Sequence, residues 1–183
     1  NEEATCNACP ADHYKDFVGI ASHPCSQCPA NSDTMGVTAV TDISGCFCSE
    51  GYYSIAPDGK ISNVFKNCYE CAEDYVKTES GAAKCSKCPS NSVTNGGKGS
   101  TSWGQCLCEP GYQGTITSGA STCEPCPLGY YKSTYGTDQC KKCTQDASTT
   151  QMGATLVTDC VCNTGFFGAI ISETSPCSPI TCD

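Results

Sequence analysis

The residues best placed to do chemistry in this 183-residue chain are its twenty cysteines, and they come in pairs. Cys6-x2-Cys9, Cys25-x2-Cys28 and Cys46-x-Cys48 make a six-cysteine figure. Cys68, Cys71, Cys85, Cys88, Cys106 and Cys108 repeat it, as do Cys123, Cys126, Cys140, Cys143, Cys160 and Cys162. Cys177 and Cys182 read as the start of a fourth. Three chemistries use such spacings. Cys6-x2-Cys9-x15-Cys25-x2-Cys28 has the arrangement of a four-thiolate zinc site. A single Cys-x2-Cys at a helix start is a redox dithiol whose thiol pKa the helix terminus lowers. Thiols in an even number, dense in a chain without a long apolar run, form a disulfide framework in an oxidising compartment.

Zinc leaves the Cys-x-Cys pairs without a role. The ten basic residues are all lysines, so the arginine with which zinc modules read phosphate and guanine is missing. The redox reading lacks the βαβ setting that would supply the helix. The framework reading uses every pair, so eighteen cysteines from Cys9 to Cys177 are expected in disulfides and no metal or cofactor is expected.

Catalytic constellations are absent. His13 and His23 lie outside any serine or cysteine motif, and the carboxylates are scattered, as at Glu2-Glu3 and Glu73-Asp74. The chain therefore reads as a non-enzyme. A net charge of -9 argues against nucleic acid and an anionic membrane surface as partners. The longest apolar stretch, Gly165 to Ile171, is far shorter than a membrane span, which takes ~20 residues. No direct membrane insertion is expected. Asn1 is not a start methionine, so a secretion leader, if there was one, has been removed or was never included. Asn31-Ser32-Asp33, Asn91-Ser92-Val93 and Asn163-Thr164-Gly165 all place the hydroxyl one position too early for N-glycosylation. The hydroxyls of Thr115 to Thr122 and Ser148 to Thr150 are candidates for O-linked sugar.

The elements that hold these residues recur with the cysteines, from Cys9 to Cys71 to Cys126, with a longer first interval than second. A segment of that size hides only ~60% of its unfolded surface, so it needs staples. Closing a loop of ~15 residues constrains the unfolded chain by ~3 kcal/mol. A lysine recurs at one offset from the second cysteine: Lys15, Lys77 and Lys132. Cys28-Pro29-Ala30-Asn31-Ser32 and Cys88-Pro89-Ser90-Asn91-Ser92 carry turn chemistry, and Cys143 to Thr149 is a decayed copy. Each Cys-x-Cys is followed by glycine and an aromatic: Gly51-Tyr52, Gly111-Tyr112 and Gly165-Phe166. Glycine permits a tight turn or a close backbone approach there, and Tyr52, Tyr112 and Phe166 are expected to cover the neighbouring disulfides. Short hairpins without sustained helix are the expected secondary structure. Trp103 reads equally as packing on its own module or as an anchor for a partner.

Cys-x2-Cys-Pro, Tyr-Lys, Cys-x2-Cys-Pro-x-Asn-Ser and Cys-x-Cys-x2-Gly-aromatic together resemble the ephrin-receptor-type cysteine-rich repeat. That repeat is related to the epidermal-growth-factor-like module and occurs in protozoan surface proteins. The resemblance implies a small disulfide-rich fold: a tandem array of three such modules with short β-hairpins and little helix. It also implies a pairing of first to third, second to fourth and fifth to sixth cysteine. That gives Cys9-Cys28, Cys25-Cys46 and Cys48-Cys68; Cys71-Cys88, Cys85-Cys106 and Cys108-Cys123; and Cys126-Cys143, Cys140-Cys160 and Cys162-Cys177. By spacing alone, 15 connectivities per module stay open. In this frame residues 1–8 end a preceding module, 9–70, 71–125 and 126–181 are three modules, and 182–183 begin a following one. Calcium-binding modules of the related type carry acidic residues just before the first cysteine; Thr5 and Glu70 match that poorly.

Cys6 and Cys182 are left over at the two ends, as candidates for an end-to-end cross-link. Fold does not supply function, and two readings stand. One is an extracellular structural or surface-coat protein that forms an extended rod or filament with copies of itself or with further repeats of a longer chain. The other is a receptor or adhesion ectodomain that binds another extracellular protein.

Overall fold

A computed structural model describes residues 7–18, 24–55 and 67–181. The expectations placed on Cys6, Cys182, His23, Glu2-Glu3 and Thr5 lie outside these residues. Secondary structure among the described residues is limited to nine two-stranded antiparallel sheets and three short 3₁₀ turns. No helix among them is long and apolar enough to cross a membrane. The chain divides into two compact units, residues 1–87 with 97–102 and residues 88–96 with 103–183.

Three hairpins recur in order. The first pairs His13–Tyr14 with Ser26–Gln27, then Tyr75–Val76 with Ser86–Lys87 and Tyr130–Tyr131 with Lys141–Lys142. The second pairs Ser32–Asp33 with Phe47–Cys48, Ser92–Val93 with Leu107–Cys108 and Ala147–Thr149 with Cys160–Cys162. The third pairs Tyr52–Ser54 with Cys68–Glu70, Tyr112–Gln113 with Glu124–Pro125 and Phe166–Phe167 with Ser178–Pro179. The two residues between Cys25 and Cys28, Cys85 and Cys88, or Cys140 and Cys143 are thus a strand with a cysteine at either end.

That placement corrects the pairing implied by the resemblance. The bonds join consecutive cysteines: Cys9–Cys25, Cys28–Cys46 and Cys48–Cys68; Cys71–Cys85, Cys88–Cys106 and Cys108–Cys123; Cys126–Cys140, Cys143–Cys160 and Cys162–Cys177. The fifth-to-sixth bonds agree with the expectation, while the crossed bonds Cys9-Cys28, Cys25-Cys46, Cys71-Cys88, Cys85-Cys106, Cys126-Cys143 and Cys140-Cys160 are replaced. The physical reason lies in two features. Residues i and i+3 of an extended strand point to opposite faces, so the two cysteines flanking it serve different loops. The turn before the first hairpin then decides which. The Tyr75 amide closes that turn on the Ala72 carbonyl (3.1 Å), and Asp74 adopts a left-handed φ of 65°. Cys71 is thereby folded against Cys85, at a Cα separation of 5.8 Å, instead of reaching Cys88. Asp12 (φ 64°) and Gly129 (φ 81°) hold the same turn in the other copies.

The core is largely cystine, supplemented by single apolar residues. In the second unit Tyr131, Ala154 and Ile170 cluster with Cys143 and Cys160. A parallel bridge fastens each first hairpin to a distal loop: Tyr14 to Val40, Val76 to Ser100 and Tyr131 to Ala154. Val40, Ser100 and Ala154 therefore occupy one structural position. Ser100 is buried there and its hydroxyl has no hydrogen-bond partner. Ser100→Ala, which installs the residue found at 154, is expected to stabilise the protein by about 1 kcal/mol by removing that unpaired group. A rise in the denaturation midpoint checks it; a fall would mean the hydroxyl is satisfied.

Candidate functional site: the junctions between repeats

What the fold positions most carefully is the contact of each repeat with the next. In the first unit, Gly51 follows Cys46-x-Cys48 and turns the chain at φ 76°. Its amide donates to the Lys77 carbonyl (2.9 Å), and its carbonyl accepts from the Cys71 amide (2.8 Å). The backbone of the next repeat lies so close that a Cβ at Gly51 would collide with the Gly99 carbonyl oxygen and press on the Thr101 methyl. Only glycine fits, for its φ and for its lack of a side chain.

Lys77 closes this junction. It is only 4% exposed, and its Nζ donates to the carbonyls of Cys48 (2.8 Å), Tyr52 (2.7 Å) and Gly81 (2.8 Å), with that of Ser49 at 3.4 Å. Burial pushes its pKa below the ordinary lysine value, and the charge of Asp33 pulls it partly back. Burial acts on Asp33 in the raising direction. Hydrogen bonds from Ser80, the Met35 amide and Ser49, with the charge of Lys77, outweigh it and hold the carboxyl below its usual range. Asp33 Oδ2 accepts from both Ser49 and Ser80 at 2.8 Å, tying the two repeats together a second time.

The second unit repeats the construction with the same residue types. The Gly111 amide donates to the Lys132 carbonyl (2.8 Å), and a Cβ at Gly111 would collide with the Gly153 carbonyl oxygen and touch the Thr155 methyl. Lys132 is 3% exposed, with Nζ donating to the carbonyls of Tyr112 (2.9 Å) and Gly136 (2.6 Å). Desolvation lowers its pKa too, partly offset by Asp138. Val93 stands at the position that Asp33 holds in the first copy, so the carboxylate-to-serine ties of the first junction have no counterpart there.

The junction gathers residues that spacing along the chain leaves apart. Tyr52, Tyr112 and Phe166 are all half-buried at the start of the third hairpin, and the backbone carbonyls of Tyr52 and Tyr112 accept the lysines. The lysines are visible in sequence as a recurrent offset, but no ligand for them is. The threonine two residues after the close-approach glycine carries no signal in its spacing. Of the four cysteines with zinc-site spacing, Cys9 and Cys25 are bonded to each other and Cys28 to Cys46, while Cys6 lies outside the described residues. Trp103 packs on its own repeat: its ring is the nearest neighbour of a Cβ built at Gly119. The candidate glycan acceptors Thr117, Ser118 and Ser121 form an exposed hydrogen-bonded turn.

Residues 111–160, which span most of the second junction, match the family described as tyrosine-protein kinase ephrin type A/B receptor-like. The chain is similar to cysteine repeat modular protein A of Toxoplasma gondii, 30% identical over 188 residues, which covers 95% of this chain and 6% of that protein. It is 29% identical over 170 residues to the Mus musculus sushi, von Willebrand factor type A, EGF and pentraxin domain-containing protein 1, covering 92% of this chain and 4% of that one. Ephrin type-B receptor 2 of Coturnix japonica is 36% identical over 78 residues, or 42% of this chain and 7% of the receptor. The chain thus spans a small fraction of the length of these relatives.

Proposed function

We propose that this chain, which carries the ephrin-receptor-type cysteine-rich repeat, is an extracellular structural segment: part of an extended rod or filament of stapled repeats in a surface coat. The observation that carries the reading is the reuse of one junction. Glycine, lysine and threonine join the first repeat to the second, and the same three types join the second to the third. Repeats that meet only their neighbours by a fixed rule can be added without limit, as in solenoid arrays. Similarity to a protein named for its modular cysteine repeats supports the same reading. Cys6 and Cys182 would continue or cross-link the array at its ends.

One observation favours the second reading, a receptor or adhesion ectodomain. Tyr53, Ala72, Tyr75, Lys84 and Cys85 line a cleft of about 360 Å³ within the first unit. Aromatic rings beside a cation suit a protein ligand. Imaging and non-reducing electrophoresis of native material separate the two readings. Extended, disulfide-intact assemblies are expected. A monodisperse monomer with an intramolecular Cys6-Cys182 bond would overturn the array and leave the receptor.

A further inference from the structure

The two junctions are built alike but are closed differently at one point. At the second, the Gln113 carboxamide oxygen accepts the Cys140 amide (2.9 Å) across the joint, and Cys140 is buried. At the first, Tyr53 stands at the offset of Gln113 and Cys85 at that of Cys140. A tyrosine side chain has no amide oxygen to offer that N–H. Its ring packs instead beside that of Tyr69, with centroids 6.4 Å apart. Cys85 is left half-buried, and among the described residues no turn, loop or side-chain acceptor takes its amide. The cleft of about 360 Å³ lined by Tyr53, Ala72, Tyr75, Lys84 and Cys85 opens at this point. It lies between two repeats that are both present, so its openness comes from the exchange of glutamine for tyrosine.

The closed copy shows what the open one lacks, which is a planar oxygen acceptor aimed at the cysteine amide. The residue before that cysteine changes in step with the opening: Gln139 in the closed copy is Lys84, exposed, in the open one. An ammonium beside an unclaimed N–H favours a carboxylate over a neutral carboxamide, because hydrogen bonds to an ionised acceptor are stronger. Glu73 and Asp74 belong to the turn after Ala72 but do not line the cleft, and the charge that does line it is positive. The rings of Tyr53 and Tyr75 supply apolar wall.

We infer that this cleft is a binding site for an acidic side chain of a partner protein. The carboxylate accepts the Cys85 amide, as Gln113 accepts that of Cys140, and pairs with Lys84, while a neighbouring apolar side chain of the partner lies against Tyr53 and Tyr75. The inference rests on the receptor reading for the kind of partner and names the group that partner presents.

Titration of the isotope-labelled, oxidised chain with the peptide acetyl-Phe-Glu-amide to millimolar concentration, followed by NMR, tests it. The amides of Lys84 and Cys85 should shift together and saturably, and that of Cys140 should not. Acetyl-Phe-Gln-amide should bind about fivefold more weakly, the most that an exposed ion pair contributes, and acetyl-Phe-Lys-amide should not bind. Lys84→Gln should erase the preference for the acidic peptide. Tyr53→Gln, which installs the residue of the closed copy, should abolish binding and slow exchange of the Cys85 amide. Gln113→Tyr combined with Gln139→Lys should open a second site and make the Cys140 amide respond. Intact mass with every described disulfide formed verifies that each variant has folded.

Shifts confined to another surface, equal binding of the three peptides, or an undiminished response in Tyr53→Gln would overturn the site. So would a Cys85 amide already protected in the free chain, which would mean that the chain itself fills the cleft, with residues 56–66, outside the described ones, as the nearest source. If native material is the monomer that the receptor reading requires while no peptide shifts Cys85, the site fails and that reading stands. If native material is an extended array and the acidic peptide binds as expected, the receptor reading fails and the site stands as a lateral one on the array.

Discussion

Excess reductant at room temperature is expected to unfold both units completely, whereas the oxidised chain should resist heat and protease. Each of the nine bonds among the described residues closes a loop of 14 to 20 residues. Each such closure constrains the unfolded state by ~3 kcal/mol, and loss of one native bond from a small domain typically costs ~2–5 kcal/mol. Little else opposes unfolding. The strands are two or three residues long, and among the described residues the large aliphatic side chains that are fully buried are those of Ile116 and Val76. Isolated two-stranded hairpins are marginal in water. Circular dichroism and limited proteolysis with and without dithiothreitol check this. A denaturation midpoint unmoved by reduction would show that packing, and not cystine, holds the fold.

Replacement of the buried lysines should have the next largest effect, and a graded one. Lys77→Met removes an ammonium from three close carbonyl acceptors and from Asp33, in a site the methionine side chain fills but cannot hydrogen-bond. Hydrogen bonds to a charged group contribute ~1.5–3 kcal/mol, and a buried acceptor left unpaired costs ~1–3 kcal/mol. On that scale a loss of about 3 kcal/mol is expected for Lys77. Lys132→Met should lose less, since its Nζ donates to two carbonyls where that of Lys77 donates to three at close range. Lys15→Met should lose least of the three, since Lys15 is half-exposed and its charge keeps part of its solvation. Lys77→Arg is not a rescue, because a planar guanidinium fork does not match acceptors arranged around a point charge. Chemical denaturation of the three methionine variants gives the ranking. Equal effects at 15, 77 and 132 would show that the lysines act through general charge and not through the junctions.

The sequence by itself determined the class of fold. Cysteine density and even count implied disulfides, the recurring figure implied tandem repeats, and Pro, Asn and Gly at fixed offsets implied turns. Asn31 and Asn91 do adopt left-handed φ of 61° and 60°. Their short polar side chains tolerate that conformation, and most others avoid it. Gly51 and Gly111 were legible as close-approach positions for the same local reason. The tertiary structure alone decided the pairing. Cys9 and Cys25 are 16 residues apart, and Cys28 follows Cys25 by a single Cys-x2-Cys. Loop-closure entropies for the two choices differ by only about 0.2 kcal/mol. Entropy therefore could not choose between them. The choice was made by the left-handed turn at Asp12, Asp74 and Gly129, which sends the first cysteine of each repeat to one end of the next strand. The lysines were beyond local reading for a related reason. An ammonium is buried only where several carbonyls converge, and those at Cys48, Tyr52 and Gly81 come from segments 29 residues before Lys77 to 4 after it, brought together only when two repeats pack.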